Sequence, residues 1–211
     1  MKDIPLFTTE YGIASLTLSQ IPYRKTAYIQ VQTVCDGMLP NLIAECRGFC
    51  RAVGAETVFW TADDVADEPH SQILEMRGRA EPDPEKVEAL FPVTEETVSA
   101  WRTIHNDRMS SVDHARYLSA ADDKELLAAG AYFVHRGGKP LGIGWLKDDT
   151  ILAITSTQPG AGERVLHTLM SLAPGANLRL EVASTNRKAI ALYKKAGFLP
   201  IKILKNWYAV Q

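Results

Sequence analysis

The segment LRLEVASTNRKAIALYKKAGF, residues 178–198, decides how the rest of the chain is read. It opens with strict alternation: Leu178, Leu180 and Val182 fall on one face of an extended strand, Arg179 and Glu181 on the other. Asn186 then stands where a helix N-cap belongs, the Ala-Ile-Ala-Leu-Tyr run continues at helical spacing, and Gly197 closes the helix. A strand leading into a capped helix is predicted, with Asn186 and Tyr193 two turns apart on one helix face.

Upstream, TQPGAGERVLHTLM (157–170) places Gly160 and Gly162 ahead of an amphipathic helix predicted over 162–173. Before it, AYFVHR, KPLGIGWLK and TILAITST read as three strands joined by tight turns at Gly137-Gly138 and Asp148-Asp149. Helices are expected from Thr94, with Glu95 and Glu96 in the first turn, and near 113–118 and 122–129. Downstream, FLPIKILKNWYAVQ fits two short strands.

The N-terminal part reads as a hairpin (GIASLTLSQ, turn IPYRK, TAYIQVQTV), a helix in LPNLIAECRGFCRAVGA ended by Gly54, and a strand ETVFWT. The acid- and proline-rich stretch 62–84 suggests a linker around a short helix at 71–77. Two domains are therefore expected, 1–78 and 87–211. Both run hairpin, glycine-bearing loop, amphipathic helix, strand, so the first is read as a degenerate half-copy of the second.

With 211 residues, 46% of them hydrophobic and a formal net charge of −2, the composition is that of an ordinary globular chain. It carries no broad basic field for nucleic acid, no membrane-spanning apolar run and no signal-like apolar segment at its start, so a cytoplasmic protein is expected. Cys35, Cys46 and Cys50 form no CxxC pair, which argues against a disulfide framework or a zinc site and for buried helix thiols. Oligomeric state is left open, a homodimer included.

The segment 178–198 resembles the signature of the GNAT (Gcn5-related) N-acetyltransferases, and most closely the members that acetylate the N-terminal alanine of a ribosomal protein. There a Leu-Glu-Val strand leads to Asn, an Ala-Ile-Ala-Leu-Tyr helix and Gly-Phe. The resemblance covers about 87–211 and leaves the N-terminal segment aside. It implies an α/β GNAT fold, a mixed and mostly antiparallel sheet with helices on both faces. It also implies direct transfer of acetyl from acetyl-CoA to a primary amine, of a small molecule or a peptide N-terminus, in a ternary complex.

Such a transfer needs a base for the ammonium, an acid for the leaving sulfur and donors for the thioester oxygen. The resemblance assigns the first two to Glu181 and Tyr193. Glu181 equally suits an exposed strand carboxylate, and Tyr193 a core residue. Asn186 would cap its helix and touch the pantetheine arm, with Ala189 beside it, and backbone groups of the ILAITST strand, Ile154 and Thr155 among them, would face the thioester. The diphosphate loop maps onto Thr157, Gln158, Pro159, Gly160, Ala161, Gly162, Glu163 and Arg164, at a helix N-terminus suited to anions. Three residues depart from the family's pattern: Thr157 replaces Arg or Gln, Pro159 lacks an N–H, and Glu163 puts a negative charge in the first turn, which Arg164 and Lys188 would have to offset. His105 on its helix is a packed residue or a proton relay. A GNAT-fold module that binds CoA or a partner without turnover is the alternative reading.

Overall fold

The computed structural model describes residues 6–62, 65, 67–128 and 130–210. Three of the expected linker residues, 63, 64 and 66, and the last residue of the expected 122–129 helix lie outside them. In chain order the elements are β1 (Leu6–Thr9), β2 (Gly12–Thr17), α1 (Ile21–Arg24), β3 (Thr26–Val34), α2 (Leu39–Ala52), β4 (Thr57–Thr61), β5 (Ser71–Arg79), β6 (Ala89–Pro92), α3 (Val98–Met109), α4 (Asp123–Ala128), β7 (Ala131–Arg136), β8 (Lys139–Lys147), β9 (Thr150–Ser156), α5 (Gly162–Met170), β10 (Asn177–Ala183), α6 (Arg187–Lys195) and β11 (Leu199–Ala209). They divide into one unit of Met1–Ile73 with Leu204–Gln211 and another of Leu74–Ile203. The division expected from sequence gave the whole C-terminal strand to the second domain.

In the first unit β1, β2 and β3 are successive antiparallel strands, and β4 lies parallel to β3. Helix α2 makes that crossover, burying Leu42, Ile43, Cys46 and Cys50 against Ala14, Leu16, Ala27 and Ile29. Burial pushes the Cys46 and Cys50 thiols up to about 11, so both stay protonated and inert. The end of β11 completes the sheet beside β4, antiparallel, pairing Tyr208 with Trp60 and Ala209 with Phe59.

The second unit orders its strands β5-β10-β9-β8-β7-β6, with the start of β11 flanking β5. The β6-β7-β8-β9 run is antiparallel, while β9 and β10 are parallel through α5. Helices α5 and α6 cover one face over Met76, Ile151, Leu178, Leu180 and Phe198. Trp101 of α3 and Leu126 of α4 cover the other, over Ile143, Trp145 and Ala153. This is a mixed, mostly antiparallel sheet with helices on both faces, as expected.

Four local expectations are corrected. Residues 71–77 are not a helix but most of β5, whose strand pairing comes from partners distant in sequence. Residues 113–118 form a turn and then irregular chain rather than a helix. The helix expected from Thr94 starts at Val98, because the Thr97 side chain accepts the Thr94 N–H at 2.9 Å and holds a turn there first. The C-terminal stretch is one strand, β11, and not two.

Candidate active site

The parallel pair of the second unit is short. Strands β9 and β10 have seven residues each, yet their pairing comprises Arg179 with Thr150 and Leu180 with Ile151. The cause lies on the other side of β9. Trp145 faces Ala153 and Leu146 faces Ile151, so Leu152 is an extra residue, a β-bulge that bends the strand away from β10. Ile151 accordingly enters the core under α5 and α6, while Ala153 faces Trp101 on the opposite side. Beyond the bulge a cleft opens between 152–156 of β9 and 181–183 of β10. Ile154 packs against the core under α5; Thr155, opposite Ile143, is buried with its Oγ1 unbonded among the described residues.

The equivalent pair in the first unit, β3 with β4, stays joined over five residues, from Thr26 with Thr57 to Gln30 with Thr61. Within those five pairs the strands show no parting like that of β9 and β10. The expected outcome of titrating the protein with acetyl-CoA in a calorimeter is one site per chain; a second equivalent would contradict the closed pair.

At the far end of the β9 cleft the chain turns through Thr157, Gln158, Pro159 and Gly160 into α5. Gly160 has φ +78, a left-handed conformation that favours glycine. Thr157 N–H donates to Leu141 O at 2.9 Å and Ala161 N–H to Gln158 O at 3.2 Å, so both are committed. The first helical bond is Val165 N–H to Ala161 O, which leaves the N–H groups of Gly162, Glu163 and Arg164 without helical partners. A Cβ at Gly162 would sit 3.4 Å from Leu192, so the loop passes close over α6.

Glu163 does not face the loop as a bare charge. Lys86 Nζ lies 2.8 Å and Lys195 Nζ 3.0 Å from its carboxylate, and these contacts hold it below the usual carboxylate range. The expected repulsion of an anion is thereby offset, though not by the expected residues. Arg164 is turned to Glu88, at 2.6 Å, and to Glu85 O, at 3.1 Å. Lys188 is exposed on α6.

Across the cleft, Asn186 caps α6 as anticipated, its Oδ1 accepting the Ala189 N–H at 3.2 Å. Its carboxamide NH2 makes no hydrogen bond among the described residues. Tyr193, seven residues on, is buried in the α5–α6 core beside Phe198, and burial pushes its phenol up to about 12. No hydrogen bond reaches its hydroxyl among the described residues.

Glu181 lies on the opposite face of β10, exposed, on the strand side that the alternation assigns to it. It opens into a cavity of about 340 Å3 lined by Glu75, Glu125, Lys147, Asp148, Thr150, Leu152, Arg179, Leu180 and Glu181. The cavity thus meets the cleft at the bulge residue. Glu75, buried on β5, is held below the usual carboxylate range by its hydrogen bond from Arg77, with Lys202 Nζ also 3.6 Å away. Sequence reading missed Glu75 because its segment passed for a linker helix, and it missed the bulge because TILAITST carries no glycine to signal one.

His105 stacks on Trp101 with ring centroids 5.6 Å apart, and its Nε2 sits 3.3 Å from Arg116 O. Burial lowers its pKa, which keeps the ring neutral. It serves the packing of α3 here and does not line the cavity.

No family model matches the sequence, and no curated protein does. Solved structures do match in fold. A functionally unknown conserved protein from Staphylococcus epidermidis superposes with TM-score 0.56 at 12% identity, over 99% of this chain and 94% of that one. A GCN5-related N-acetyltransferase from Sphaerobacter thermophilus gives 0.55 at 14% identity, over 93% and 75%. Saccharomyces cerevisiae N-myristoyltransferase with bound myristoyl-CoA gives 0.50 at 12%, over 87% and 62%. The chain has the GNAT fold. These matches do not bear on the nearer resemblance to ribosomal-protein alanine acetyltransferases.

Proposed function

We propose that the protein is an N-acetyltransferase that moves acetyl from acetyl-CoA to a primary amine, of a small molecule or a peptide N-terminus, by direct transfer. One observation carries the reading: β9 and β10 part at a bulge, with the amides that open α5 at one end of the cleft and a carboxylate-lined cavity at the other. The residues present fit an acyl-CoA. The N–H groups of Gly162, Glu163 and Arg164 suit its diphosphate, Asn186 its amide-bearing arm, and Tyr193 its sulfur.

When bound, acetyl-CoA supplies the activated acyl carbon: a C–N bond forms to the amine, the C–S bond breaks, and CoA leaves as the thiol. Glu181, directly or through water, takes the proton that converts the acceptor's ammonium to a nucleophile. Backbone N–H groups around the bulge, released from regular pairing, donate to the carbonyl oxygen as its charge grows. Tyr193 gives its proton to the departing sulfur and regains one from the amine as the amide forms. Net, one proton is released to solvent for each ammonium acylated.

The reading is tested by free-CoA release with a panel of amines and by acetyl-CoA titration of Gly162→Trp. An indole at 162 would meet Leu192 and cover the loop amides, so affinity should fall at least about tenfold, one lost charge-assisted contact or more. Unchanged affinity would remove the diphosphate from this loop. A CoA-binding module without turnover is the second reading, favoured by the commitment of Arg164 to Glu88; binding with no CoA release would select it.

A further inference from the structure

We infer that the acceptor is an amine carrying a second cationic group, in its simplest form an aliphatic diamine, with its reacting nitrogen at Glu181 and its other ammonium at Asp148. The inference rests on the N-acetyltransferase reading and names the substrate class of that cavity.

It comes from the cavity's charges. Four carboxylates line it, Glu75, Glu125, Asp148 and Glu181, against two bases, Lys147 and Arg179. Both bases are already matched. Lys147 Nζ is 3.2 Å from Glu125, and Arg179 Nε is 3.3 Å from Asp149 and 2.7 Å from Thr150 Oγ1. Glu75 has Arg77 and Lys202. Asp148 and Glu181 are left, with no ion pair or hydrogen bond to either carboxylate among the described residues. They sit on different strands' ends, Asp148 in the β8–β9 turn and Glu181 at the parting of β9 and β10.

Glu181 has an assigned task, since it must accept the proton of the nitrogen that attacks. Asp148 has none in catalysis or in the turn: its φ of 54 is a conformation in which Asn would serve as well. A monoamine would leave the Asp148 charge unanswered, whereas a second ammonium meets it and stays protonated while the first reacts. Leu152, half-exposed at the bulge, supplies apolar wall for the methylenes between. A volume of about 340 Å3 admits a small molecule of this kind, at the low end of ligand pockets (roughly 300–1,000 Å3).

The test compares α,ω-diamines with monoamines of the same chain length, reading CoA release and, separately, calorimetric affinity for the CoA-bound protein. The expected result is a diamine preference of about tenfold or more in both readouts, as one hydrogen-bonded charge contributes, falling toward parity in Asp148→Asn. Release without diamine preference, or a preference unchanged in Asp148→Asn, would overturn the acceptor class and leave acetyl transfer standing. Tighter binding of diamines with no CoA release would overturn the transfer reading and with it the diamine's role as acceptor.

Discussion

Tyr193→Phe is expected to leave folding and acetyl-CoA affinity close to those of the parent while turnover falls ~10²–10⁴-fold, the usual contribution of general acid-base catalysis. The ring packs against Phe198 in the core that α5 and α6 share, and Phe keeps that surface while removing the proton. A phenol pushed up to about 12 is fully protonated at neutral pH and ready to donate. A thiolate formed beside it meets the same loss of solvation, which raises its own proton affinity above the ~8.5 of a free thiol and lessens the uphill gap. Single-turnover rates separate the chemistry from binding. A Phe variant as active as the parent would make Tyr193 a core residue only.

The same phenol gives a pH dependence of known sign. Its pKa is higher folded, about 12, than the ordinary 10.0 of the unfolded chain, so the folded state holds the proton more tightly. Its contribution is fully present below about pH 10 and is lost between there and about pH 12, by roughly 2–3 kcal/mol from the size of the shift. Urea titrations of the parent and Tyr193→Phe should diverge across that window, the parent losing more.

Gly142→Val is expected to destabilise the second unit by about 3 kcal/mol or more, the upper range for forcing atoms into a packed site. A Cβ at Gly142 would lie 2.3 Å from Thr155 O and 2.6 Å from Val165 Cγ2, so both β9 and α5 must move. Thr155 belongs to the lip of the cleft, so acetyl-CoA affinity should fall along with stability. Gly48→Ala gives the opposite sign. No atom lies within 4 Å of the added Cβ in the interior of α2, and replacing a helical glycine gains about 0.5–1 kcal/mol. Denaturant melts of both variants check the pair; a Gly142→Val protein as stable as the parent would mean that α5 does not press on β8 there.

What could be read from sequence was whatever is set within one turn or one strand of itself. The alternation of Leu178, Leu180 and Val182 leaves Glu181 facing out whatever the neighbours are, and Asn186 caps α6 with its own side chain. Gly137 and Gly138, both with positive φ, turn β7 back on β8. Such features depend on covalent geometry and local hydrogen bonds, so they survive without knowledge of the rest.

Tertiary structure decided the features that need a partner far along the chain. In Ser71–Arg79 the inward and outward residues are blurred, with Glu75 and Met76 adjacent and both buried, and only the neighbours β10 and β11 make it a strand. The bulge at Leu152 is a disagreement in register between β8 and β9, which no single strand's residues encode. The charge on Glu163 is answered by Lys86 and Lys195 rather than Arg164, because side-chain reach across elements, not position in the helix, chooses ion partners. And Asp148, Glu181 and Glu75 meet around one cavity because the β8–β9 turn, β10 and β5 are brought there by strand order, a relation that distance in space controls and spacing in sequence does not.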